Sequence, residues 1–206
     1  MERLLYISQA TSDASHLDNI RAACEAGCRW IQLRAKSGDI SAQAMAAKII
    51  CDQFGARLSI NDHPAVAAVI QSYGTHVGLQ DTPLPEARRL AGAGAWLGGT
   101  ANTPHDALAH ASAGADYIGY GPYRFTSTKE KLSPVLGIEG YHQLMATLKA
   151  KNISIPVLAI GGILLEDIPA LMASGIHGIA VSGLITHAAN KKEMVNNIKL
   201  ALSCSN

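Results

Sequence analysis

Eight short apolar runs alternate along the chain with stretches whose apolar residues return every three or four positions. The runs are Leu4–Ile7, Trp30–Leu33, Leu58–Ile60, Thr75–Gly78, Trp96–Gly99, Tyr117–Gly119, Val157–Ile160 and Gly178–Val181, each of strand length. The stretches His16–Ala26, Ala42–Phe54, Pro64–Gln71, Pro85–Ala91, Pro104–Ser112, Ile138–Ala150, Glu166–Ala173 and Lys191–Leu202 read as helices. Leu17, Ile20, Ala23 and Cys24 illustrate the helical spacing, and Pro64, Pro85 and Pro104 suit a first turn, where the missing N–H would have no partner anyway. Strand, helix, strand in succession implies parallel strands joined by right-handed crossovers. Eight such units favour closure into a (β/α)8 TIM barrel, an α/β fold. An open doubly wound sheet normally has a glycine-rich turn after its first strand; here Ser8-Gln9-Ala10-Thr11-Ser12 follows, without glycine.

The 206 residues suit one barrel at the short end of its class, so residues 1–206 are expected to form a single domain. Lysine and arginine total 17 against 16 acidic residues, a balance that points to no nucleic-acid partner and no charged membrane surface. Any anion site must be local. The apolar run at Met1–Ser8 is too short for a secretory signal and no later one is long and uncharged enough to span a bilayer, so a cytoplasmic protein with no membrane partner is expected. Cys24, Cys28, Cys51 and Cys204 lack paired C-x-x-C spacing and read as reduced, mostly core residues, with Cys24 and Cys28 on one helix face. No two histidines stand four apart, so a structural metal is not expected.

Polar chemistry gathers where strands end. Gln32-Leu33-Arg34-Ala35-Lys36, Asn61-Asp62, Asp81, Thr126-Ser127-Thr128-Lys129 and Val181-Ser182-Gly183 lie at or beyond the ends of apolar runs, and in a closed barrel those ends share the rim that carries the site. Period-two geometry puts Gln32, Arg34 and Lys36 on one side of the second strand. Arginine supplies a planar fork of donors and lysine a mobile positive charge, so the trio suits a diphosphate. Asp62 and Asp81 follow the third and fourth strands, so their carboxylates can meet on Mg²⁺, which commonly takes only one or two protein carboxylates. Each would also serve as a helix N-cap, Asp62 ahead of Pro64 and Asp81 ahead of the helix begun near Pro85. The long connection from Tyr120 to Gly137 carries Arg124, Thr126, Thr128, Lys129, Glu130 and Lys131, which fits a lid over an anion as well as a solvated loop. After the seventh and eighth strands, Ala159-Ile160-Gly161-Gly162-Ile163 and Ala180-Val181-Ser182-Gly183 occupy the recurrent monophosphate position of barrel enzymes.

In this order the motifs resemble those of the thiamine phosphate synthase family. Gln32-Leu33-Arg34-Ala35-Lys36 resembles its QLRxK, Ile60-Asn61-Asp62 its IND, and His76-Val77-Gly78-Leu79-Gln80-Asp81 its HLGQxD. Gly119-Tyr120-Gly121-Pro122 and Thr126-Ser127-Thr128-Lys129 resemble its GxGP and TxTK, and the two glycine- and serine-bearing turns its phosphate loops. The resemblance implies a phosphate-binding barrel that joins hydroxymethylpyrimidine diphosphate to a thiazole phosphate, with small-molecule substrates and room for a homo-oligomer. It implies that Gln32, Arg34, Lys36, Asn61 and Lys129 hold the aminopyrimidine diphosphate, that Asp62 and Asp81 bind Mg²⁺, and that Thr126, Thr128, Gly161 or Gly162, Val181 and Ser182 hold the thiazole phosphate. Arg34, Lys36, Thr100 and Lys129 are the expected catalytic set, acting on the departing diphosphate.

Three positions depart from the family pattern. Leu79 stands where a glutamine is usual, Thr100 where a serine normally follows the fifth strand, and Asn102 where a histidine is often found. Thr100 keeps the hydroxyl. The alternatives are a related thiazole tautomerase, whose relatives rely on the histidine replaced here, and a non-catalytic phosphate-binding barrel. Two aspartates together with Lys129 argue against the latter, because holding a monophosphate needs neither a metal pair nor a second anion site.

Overall fold

The fold was analysed in a computed structural model that describes residues 1–125 and 134–203. Its strands are β1 (Leu4–Ile7), β2 (Trp30–Leu33), β3 (Arg57–Asn61), β4 (Gly74–Val77), β5 (Trp96–Ala101), β6 (Tyr117–Tyr120), β7 (Val157–Ile160) and β8 (Gly178–Val181). Each pairs in parallel with the next, and β8 returns to β1 through Leu4 opposite Ile179, Leu5 opposite Ala180 and Tyr6 opposite Val181. The sheet therefore closes, as the alternation of runs implies.

Successive side chains on a strand point to opposite faces, and in this barrel the alternation separates two cores. Leu5, Trp30, Tyr117, Leu158 and Ala180 pack together inside the barrel. Their neighbours Leu4, Tyr6, Ile31, Ile118, Val157, Ile179 and Val181 pack in the larger core with helix residues such as Ile20, Leu144, Leu171 and Ile198. The inner core is aromatic: Trp30 meets Tyr117 edge-on with centroids 5.0 Å apart, and Tyr73 stacks on Trp96 at 5.6 Å. Trp30 donates its indole N–H to Ser59 Oγ at 3.0 Å, so this large side chain is buried without an orphaned donor.

The helices are α1 (His16–Glu25), α2 (Ile40–Gln53), α3 (Pro64–Val69), α4 (Leu84–Ala91), α5 (Pro104–Ser112), α6 (Gly137–Ala150), α7 (Ile168–Ala173), α8 (Gly183–Thr186) and α9 (Lys191–Ser203). Ser15 and Thr103 cap α1 and α5 in reciprocal boxes with Asp18 and Asp106. Asp39 accepts from the Ala42 N–H, which starts α2 two residues before the apolar pattern does. The four-residue α8 is too short to show a helical period in sequence. Cys24, Cys28 and Cys51 are buried as expected, but Cys28 lies past the end of α1 and so does not share a helix face with Cys24.

Candidate functional site

The C-terminal ends of the strands surround a cavity of about 440 Å³. Its lining includes Gln32, Arg34, Asn61, Thr100, Gly161, Gly162, Val181 and Ser182, so eight of the residues singled out by sequence meet in one place. One wall is built on buried amides: Gln32 Nε2 donates to Asn61 Oδ1 at 3.1 Å across neighbouring strands β2 and β3. A pair of amides offers a heterocycle donors and acceptors side by side. Beside it His76 is bonded through both ring nitrogens, Nδ1 to the Tyr117 hydroxyl at 3.1 Å and Nε2 to Thr100 Oγ1 at 2.9 Å. Room for that imidazole comes from Gly98, where a Cβ would lie 2.1 Å from Tyr117 Cζ and 2.5 Å from His76 Nδ1.

Arg34 enters from the end of β2. Its backbone N–H donates to Ser8 Oγ at 3.1 Å, and that hydroxyl meets His16 Nδ1 at 2.9 Å. Burial and the nearby Arg34 guanidinium both hold His16 below its ordinary value, which favours the neutral ring beside the arginine. The cavity thus has a cationic corner next to its amide wall.

A second corner is made of backbone. Gly161 and Gly162 adopt φ of 87° and 69°, which glycine reaches without strain. A Cβ on Gly161 would lie 2.7 Å from Pro122 Cβ, and one on Gly162 would lie 2.8 Å from the Phe125 carbonyl. Ser182 follows β8, and its hydroxyl donates to Gln9 Oε1 at 3.0 Å. Between the two corners Leu5, Ile7, Leu158, Ile160 and Ala180 give an apolar lining. An apolar cleft with a polar group at each end suits a molecule pair that carries charge at both extremities.

Asp62 and Asp81 leave adjacent strands at the rim. The Asp62 N–H donates to the His76 carbonyl at 2.8 Å, extending the β3–β4 ladder by one residue, and Asp62 itself has φ of 63°. Asp81 Oδ2 accepts from the Gly78 N–H at 2.8 Å, in a space that a Cβ on Gly78 would enter at 2.5 Å. Neither aspartate is a helix cap, since His63 and Pro83 hold those positions. Neither is among the residues that line the cavity itself.

Lys36 lies beyond the end of β2 at Leu33, is exposed, and is not among the residues that line the cavity with Gln32 and Arg34. Other expectations need correction. Thr100 lies within β5, opposite Gly119, and does not follow the strand. Arg124 is committed to structure: its guanidinium donates to both oxygens of Asp167 at 2.7 and 2.9 Å and to the Gly162 carbonyl at 3.0 Å. Thr126, Thr128 and Lys129 lie outside the described residues. Sequence reasoning assigned no role to His76, Tyr117 or Gln9. Ser8-Gln9 is itself a polar pair at a strand end, the same signal that marked the other clusters.

The model for the family described as thiamine monophosphate synthase matches residues 4–185. The thiamine-phosphate synthase of Bacteroides fragilis is 45% identical over 201 residues, covering 96% of this chain and 98% of the relative. That of Phocaeicola vulgatus is 46% identical over 200 residues, covering 94% and 96%. Among solved structures, thiamine phosphate pyrophosphorylase from Pyrococcus furiosus superposes with a TM-score of 0.85 at 23% identity, covering 98% of this chain and 96% of that one. At that identity the superposition speaks to the fold, which it matches.

Proposed function

The chain belongs to the thiamine monophosphate synthase family, and from that premise we propose how one rim serves both substrates. The reaction is a transfer: hydroxymethylpyrimidine diphosphate and thiazole phosphate give thiamine phosphate and diphosphate. We assign the pyrimidine to the amide wall of Gln32 and Asn61, with its diphosphate toward Arg34, Thr100, Lys36 and Lys129. The thiazole phosphate belongs at the other end, on Gly161, Gly162, Val181 and Ser182, with Thr126 and Thr128. The observation that carries this reading is the cavity with a cationic corner and a backbone-and-hydroxyl corner on either side of an apolar span.

The bond from the pyrimidine methylene to the diphosphate oxygen breaks, and its electron pair leaves with the diphosphate. The carbocation-like methylene is then captured by the thiazole nitrogen, whose lone pair forms the new C–N bond. No protein nucleophile is required. Arg34, Lys36 and Lys129 act on the negative charge that grows as diphosphate departs, and pre-positioned charge of this kind stabilises a transition state more than the bound substrate. The apolar lining keeps water from the cationic carbon. Asp62, directly after β3, and Asp81, in the turn after β4, offer the hard oxygen donors that Mg²⁺ takes; bound there, it would supply further positive charge to the diphosphate.

The same reading makes residues 1–206 one phosphate-binding domain acting in the cytoplasm on small molecules. No helix among the described residues is long and apolar enough to cross a membrane. The test is thiamine phosphate formation from both substrates as Mg²⁺ is varied. The Asp62→Asn/Asp81→Asn double variant should keep its fold and need far more Mg²⁺, with activity at limiting metal down by at least about 100-fold, the scale of losing one charge-stabilising group. Normal rates at limiting Mg²⁺ would remove the metal role from this pair.

A further inference from the structure

Ser182 is backed by two residues that no binding motif contains. Its hydroxyl donates to Gln9 Oε1 at 3.0 Å, and Gln9 Nε2 donates to His187 Nε2 at 2.7 Å, which fixes the ring proton on Nδ1. Gln9 is anchored in turn: the side-chain amide of buried Asn19 donates to its backbone carbonyl at 3.0 Å. His187 sits at the end of α8, the helix that Ser182 opens. The three side chains therefore form one directed chain, running from Ser182 through Gln9 to His187.

In that direction the hydroxyl proton is committed to Gln9 and is not offered to an anion. A phosphate oxygen only accepts hydrogen bonds, so it can use Ser182 only if that proton turns toward it. The chain permits this by inversion. If the Gln9 amide turns over, Nε2 donates to Ser182 Oγ and Oε1 faces His187, whose ring proton moves to Nε2 and donates in its turn. Every member stays satisfied, no net proton is gained or lost, and Ser182 is left as a donor made stronger by the bond it accepts.

We propose that Gln9 and His187 are positioning residues for the thiazole phosphate, setting by amide inversion whether the Ser182 hydroxyl donates inward or to the ligand. The inference rests on the assignment of Ser182 to that phosphate and goes beyond it. Gln9 does not touch the reacting atoms; it acts through Ser182.

A double-mutant cycle on the full chain tests this, using steady-state kinetics with both substrates. Gln9→Met keeps the length of the side chain and removes both polar ends. It should raise KM for thiazole phosphate about threefold to tenfold, the scale of one hydrogen bond, and leave kcat and KM for the pyrimidine diphosphate unchanged. In a Ser182→Ala background the same change should have no further effect. Gln9→Glu, which can only accept from Ser182, should raise that KM more than Gln9→Met does.

The proposal is overturned if Gln9→Met leaves KM for thiazole phosphate unchanged, if its effect persists in Ser182→Ala, or if KM for both substrates rises together. If Ser182→Ala alone leaves KM for thiazole phosphate unchanged, the phosphate assignment fails and the proposal falls with it. A normal effect of Ser182→Ala with no effect of Gln9→Met sinks the proposal only.

Discussion

The residues that matter most divide by whether their partners are local. Arg34, Asn61 and Ser182 could be read from sequence because each stands at the end of an apolar run, and a barrel gathers such ends. His76 could not be assigned in the same way. Its setting depends on Thr100 and Tyr117 from two other strands and on the missing side chain of Gly98. Gly98→Ala tests that packing. A methyl there would lie 2.1 Å from Tyr117 Cζ, and overpacking of this kind costs about 1–3 kcal/mol, which in a chain of this size lowers Tm by about 2–4 °C per kcal/mol. Thermal melts should show that drop, together with a raised KM for the pyrimidine diphosphate as His76 and Thr100 are displaced. A variant that melts and turns over like the parent would show that the imidazole has room to spare.

Among the elements, all eight strands were legible because a short apolar run bounded by turns leaves few other solutions. Their ends were less so. β5 runs on to Ala101 because its partner β6 continues opposite it to Tyr120, a pairing the sequence of β5 alone does not contain. The connection after β6 is the sharper case. Its described start is a braced segment: Tyr123 and Arg124 donate their backbone N–H groups to the Ile160 and Gly161 carbonyls, and Arg124 grips Asp167. Burial works against the Asp167 carboxylate, but its bonds from Arg124 and from the Leu164 N–H outweigh this and hold it below the usual carboxylate range. Its folded value is thus lower than its unfolded one. The stability it contributes is fully present above the unfolded value, about 3.9, and is lost as pH falls through the folded value. Asp167→Asn should therefore melt below the parent at pH 7, with the gap closing as pH is lowered below about 4. Melting curves at pH 7, 5 and 3 check this; a gap that is constant with pH would mean that the charge on Asp167 contributes nothing.

At the scale of the whole molecule, closure of the barrel is what turns scattered strand ends into one site. The order of motifs along the chain is the order of positions around the rim, so Arg34 after β2 and Ser182 after β8 reach the same cavity from either side of β1. Sequence spacing carried that arrangement, whereas the depth of the cavity and the apolar span across it came from side chains that alternate inward on different strands. The proposed function requires two separable anion ends in this cavity, one for diphosphate and one for monophosphate. Calorimetric binding of inorganic diphosphate with Mg²⁺, and of thiazole phosphate, to Arg34→Ala and Ser182→Asp tests it most directly. Removing the guanidinium should weaken diphosphate and spare thiazole phosphate, and a new carboxylate at Ser182 should do the reverse through like-charge repulsion. Equal weakening of both ligands by either variant would contradict the division.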